Sequence, residues 1–107
     1  MTKTFTFYDN LTDSITDIPS DSIVSKTVFK SGKQKAILFG FAAGQELSDH
    51  TSSLNAILHV IKGEGIIRVE GETLSANPGT WIHLQPEVVH SVIASSQLFM
   101  ILYLFPE

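Results

Sequence analysis

Short apolar runs alternate with polar breaks along the whole of this chain, and no long stretch repeats the spacing of an amphipathic helix. Glycine and proline punctuate the sequence about every ten residues: Pro19, Gly32, Gly40, Gly44, Gly63, Gly65, Gly71, Pro78-Gly79 and Pro86. The intervening runs are rich in Val, Ile, Thr and Phe, a pattern that predicts short strands in an all-β sandwich or barrel. Residues 23–30 and 34–42 flank Ser31-Gly32-Lys33 and read as a hairpin. Residues 56–61 and 66–70 flank Lys62-Gly63-Glu64-Gly65 and read as a second one. A turn at Glu70-Gly71-Glu72 leads into residues 73–75, and Asn77-Pro78-Gly79 leads into residues 80–84. Residues 97–105 form the last predicted strand. Residues 9–22, with spaced Leu11, Ile15 and Ile18, fit either one helical turn or irregular chain.

The last strand carries information about assembly. Leu98, Met100, Leu102 and Leu104 point one way; Phe99, Ile101, Tyr103 and Phe105 point the other. A strand that is apolar on both faces has to be covered on both. One sandwich core covers one side. The other falls to the N-terminal segment or to a second subunit, and the size of the apolar patch favours a homodimer.

Composition narrows the class. A chain of 107 residues is one domain, 1–107, large enough for a single core. Apolar residues make up 43% and charged residues 17%, which excludes a disordered chain. The absence of cysteine excludes disulfides and thiolate metal sites and fits a reducing, cytoplasmic compartment. A net charge of −4 leaves no basic footprint for nucleic acid. The start of the chain has no apolar run of signal-peptide length, and the longest apolar run, Leu98–Phe105, is too short for a membrane span. No phosphate-binding glycine loop, nucleophile elbow or His-Glu-x-x-His helix is present. Ser52 near His50 has no third group to orient the imidazole, so a serine nucleophile is not expected.

The candidate chemistry lies in four histidines: His50, His59, His83 and His90. Gly44-x5-His50-x-Ser52-x3-Ala56-x6-Gly63 resembles the first motif of the cupins, and Gly79-x6-Pro86-x3-His90 resembles the second. The motifs span about 44–63 and 79–94. The resemblance implies a double-stranded β-helix, a jelly-roll barrel of about nine to eleven strands in two antiparallel sheets. In metal-binding cupins, two His and a Glu of the first motif and a His of the second hold one cation inside the barrel. Here Ser52 stands for the second His and Ala56 for the Glu, leaving His50 and His90.

With position 56 facing inward, as the resemblance implies, alternation turns Leu58 inward and His59 outward. On residues 80–84 it turns Ile82 and Leu84 inward, and Trp81 and His83 outward. A β-bulge would reverse the facing and bring His59 or His83 to a metal at His50 and His90. The expected ligand cavity is lined by His50, Ser52, Leu58, Ile82, Leu84 and His90. Three readings follow: a barrel that binds a small molecule, with or without a weakly held divalent metal; a metal-dependent dioxygenase or isomerase using Mn, Fe, Ni or Zn; and a structural dimerisation module. The expected dimer interface takes the outward faces of residues 56–61 and 80–84 with one face of the last strand. Ile57, Ile61, Trp81 and Phe99 or Phe105 form its centre, around His59 and His83.

Overall fold

The computed structural model describes residues 4–107. Nine strands follow a single 3₁₀ turn at Leu11–Ser14: β1 (Ile23–Ser31), β2 (Gln34–Phe41), β3 (Glu46–His50), β4 (Asn55–Lys62), β5 (Gly65–Val69), β6 (Glu72–Ala76), β7 (Trp81–Leu84), β8 (His90–Ala94) and β9 (Leu98–Phe105). They form a five-stranded antiparallel sheet in the order β1-β2-β9-β4-β7 and a four-stranded one in the order β3-β8-β5-β6. Two antiparallel sheets packed face to face make the jelly roll expected of the sequence. No helix of the described residues is long and apolar enough to cross a membrane.

The inward residues of both sheets meet in one cluster that includes Phe41, Leu58, Val60, Ile67, Val92, Leu98 and Met100. Alternation explains the set. Ala56, Leu58 and Val60 are buried along β4, whereas Ile57, His59 and Ile61 between them are only half-buried. β7 repeats the pattern, with Leu84 buried and Trp81 and His83 exposed.

The chain departs from the expected strand pairing at Gly63. Residues 56–61 and 66–70 do not form a hairpin: β4 pairs with β7 and β9 in one sheet, β5 with β6 and β8 in the other. The glycines serve a crossing between sheets. A Cβ on Gly63, whose φ is 85°, would stand 2.0 Å from the carbonyl oxygen of Gln97. One on Gly65 would stand 2.2 Å from that of Ile93. Only hydrogen fits where the segment slides past the ends of β8 and β9.

A second departure concerns the outer face of the five-stranded sheet. The N-terminal segment covers part of it. Ile15 is buried with Val28, Ala36, Leu38 and Ile101, and Leu11, Ile18, Ile61 and Phe99 pack against that cluster. Tyr8 ties the strap to the edge strand through an O–H bond to the Val28 carbonyl, 2.9 Å long. The spacing of Leu11, Ile15 and Ile18 therefore reflects a strap seated on the sheet, of which only four residues are helical. Ile61 and Phe99, expected at a subunit interface, pack against this cluster instead.

Candidate functional site

Both cupin-position histidines come together at one end of the barrel, where β3 and β7 stop and β4 and β8 begin. His50 closes β3, His90 opens β8, and the two are directly opposed across the strand pair. Their ring centroids are 4.0 Å apart with the planes tilted by 57°. The register slips between Leu47 and His50, a local irregularity that sets the approach of the two strands just before the pair.

Each imidazole is held by the same local device. The Nδ1–H of His50 donates to the carbonyl of Ser48 at 2.8 Å, and that of His90 to the carbonyl of Val88 at 3.0 Å. A carbonyl only accepts, so both Nδ1 atoms carry the proton, and in the neutral ring Nε2 keeps its lone pair. The loops behind the pair are tied together. Glu87, held at a φ of 68°, donates its backbone N–H to the Ser52 carbonyl at 2.8 Å, and Glu70 donates to the Val89 carbonyl at 3.1 Å.

His90 is 3% exposed, and burial pushes its pKa below the usual histidine value. Its hydrogen bond to Val88 works against that shift, as does the carboxylate of Asp49, whereas the neighbouring His50 reinforces it. The result is a His90 imidazole biased toward the neutral form and able to accept a hydrogen bond at Nε2.

The other expected site residues take different places. Ser52 lies in the loop between β3 and β4 rather than on a strand, and its hydroxyl oxygen accepts the Leu54 N–H at 3.0 Å. Leu58 and Leu84 are buried members of the core, and half-buried Ile82 packs against it. His59 and His83 stay outside the barrel. β4 and β7 pair without a slip from Ala56–Leu84 to His59–Trp81, so no bulge turns either imidazole inward. Both are thereby removed from any site built on His50 and His90.

The fold family's metal does not fit this donor set. Metal centres that do chemistry in proteins keep three side-chain ligands and an open position, and here two imidazoles stand alone. Ala56 offers no donor, and the Ser52 hydroxyl is a poor one already engaged by the backbone. Among the described residues, no group of three or more His, Asp or Glu is placed to hold a cation.

Asn55 was not singled out from the sequence. It is buried at the start of β4, and its Oδ1 accepts the Nε2–H of His83 at 2.8 Å, while the His83 ring stacks on Phe105 with centroids 6.1 Å apart. A polar residue opening an apolar strand was the available signal; its partner lies 28 residues away.

Known proteins agree with this architecture. A family model described as the AraC-like ligand binding domain matches residues 37–106. A cupin superfamily protein from Desulfitobacterium hafniense superposes with a TM-score of 0.86 at 15% identity, over 95% of each chain. An RmlC-like cupin from Desulfovibrio desulfuricans gives 0.80 at 23% identity, over 95% of this chain and 97% of its own. A conserved Streptococcus pyogenes protein of unknown function gives 0.83 at 21% identity, over 100% of this chain and 91% of its own. No curated protein sequence matches the chain. The match over residues 37–106 establishes that this chain belongs to the AraC-like ligand-binding domain family, with a cupin jelly roll as its fold.

Proposed function

We propose that this chain binds a small organic molecule at the barrel end that carries His50 and His90, with no resident catalytic metal. The opposed imidazole pair carries the reading: the two rings stand with centroids 4.0 Å apart, each with its proton on Nδ1 and a lone pair left on Nε2, and among the described residues no His, Asp or Glu completes a metal-binding group with them. Such a pair suits a ligand with hydroxyl or amine donors. Ser52 and Ile82 flank the ligand, and Leu58 and Leu84 close the core beneath it. A divalent ion at two imidazoles is held weakly. The ligand-binding character of the family supports the same reading.

The test is metal analysis of protein purified without a histidine tag, before and after brief chelation. Sub-stoichiometric metal lost on chelation, with the fold intact, is expected. One tightly held Mn, Fe, Ni or Zn per chain that disappears in the His50→Ala, His90→Ala double variant would instead establish the metal-dependent enzyme reading.

The protein further works as a homodimer joined through the uncovered part of the five-stranded sheet. Trp81 and Tyr103 are exposed there beside half-buried Ile57 and Phe105. An exposed apolar patch of this extent is uncommon on a monomer.

A further inference from the structure

Among the described residues, six of the eight large apolar side chains left exposed, Phe5, Phe7, Tyr8, Phe29, Trp81 and Tyr103, belong to the strap or to the five-stranded sheet. Thr6 and Tyr8 face their own sheet, where with Leu11, Val28, Phe29, Ala36 and Tyr103 they line a groove of about 270 Å³. Phe5 and Phe7 take no part in that lining and are 69% and 73% exposed. Beyond the wall made by Phe29 and Tyr103 lies a second groove of about 230 Å³, floored by Ile57, Leu104 and Phe105 and edged by Gln34 and Lys35. Its lining contains no residue of the strap. The chain thus presents two aromatic side chains without a seat and, next to them, an apolar seat without an occupant.

We infer that the occupant is the strap of a second copy: Phe5 and Phe7 of each chain seat in the groove around Phe29, Ile57, Tyr103 and Phe105 of the other. Reciprocity is what a two-fold interface requires, since each patch then meets its complement once. The area agrees. At about 200 Å² for a fully exposed aromatic side chain, the six leave roughly 600 Å² open per chain, or about 1,200 Å² over two copies. That reaches the lower bound of a stable interface before the half-buried Ile57 and Phe105 are added. The inference rests on the homodimer reading and adds to it which segment crosses between subunits.

The chain has no cysteine, so introduced thiols report contacts without interference. Single Phe7→Cys and Ile57→Cys variants, mixed and oxidised, are expected to give a disulfide between positions 7 and 57, identified by peptide mapping. In a mixture of single variants that bond forms only between chains, and only where the two backbones approach to about 7 Å or less. A Phe5→Ser, Phe7→Ser double variant is expected to raise the dimer dissociation constant at least about tenfold in sedimentation. Its circular dichroism should be unchanged, because both side chains are exposed in the single chain. A wild-type dimer that forms no 7–57 bond and survives the double serine substitution overturns the strap exchange and leaves the homodimer standing. A wild-type monomer at neutral pH overturns both.

Discussion

The molecule holds two histidine pairs on opposite sides of one β-sandwich, and they have become different things. His50 and His90 face each other directly across β3 and β8, and each is held at Nδ1 by the carbonyl two residues before it, Ser48 within β3 and Val88 in the loop ahead of β8. His59 and His83 sit diagonally on β4 and β7, opposite Trp81 and Ile57. His83 is held at the other nitrogen, Nε2, by Asn55. The inner arrangement brings two rings, each with a lone pair left on Nε2, to a centroid separation of 4.0 Å; in the outer one the His83 ring is tied to Asn55 and stacked on Phe105. Chain parity decides the side, and the engaged nitrogen decides what the ring offers. Histidine count alone distinguishes neither.

The sharpest way to break this contrast is to cut the same strand on its two faces. Leu58→Ala removes a buried side chain of the barrel core and is expected to cost about 2–5 kcal/mol in urea denaturation. Ile57→Ala, one residue away on the outer face and half-buried, is expected to cost about 1 kcal/mol in dilute protein. Equal losses would mean that the outer face is as well packed as the core.

A smaller effect separates the inner pair by pH. Burial lowers the pKa of His90 in the folded chain, so below about pH 6.5 the unfolded chain takes up a proton that the folded one refuses. The unfolded state then binds more protons, and stability rises with pH. This contribution is fully present above about pH 6.5 and is lost as pH falls from there through the lowered folded value. Denaturation midpoints of the wild type should decline through that window, and those of His90→Gln less steeply. Identical slopes would place the acid sensitivity elsewhere.

Much of this was legible in the sequence, for local reasons. The facing of β4 and β7 follows from alternation with period two, and it assigned Leu58, Ile82 and Leu84 to the inside and His59, Trp81 and His83 to the outside. The meeting of His50 and His90, forty residues apart, came from the motif resemblance, because no local pattern carries a contact of that range. Gly63 and Gly65 mark a chain reversal in either reading. Whether it closes a hairpin or crosses between sheets depends on the Gln97 and Ile93 carbonyls, more than twenty-five residues away. Leu11, Ile15 and Ile18 show a need for burial without showing what they bury. Their seat on Leu38 and Ile101 is a tertiary fact, and so is the hydrogen bond that gives Asn55 its meaning.

The imidazole nitrogens of His50 and His90 can be observed directly by long-range ¹H–¹⁵N NMR of histidine-labelled protein at pH 7.5, with and without a chelator. Both rings should show the proton on Nδ1 and an unprotonated Nε2, with signals that the chelator leaves in place. Nε2 signals of both residues that shift when a chelator is added would show a metal already resident there, and the account of a metal-free ligand pair would fall.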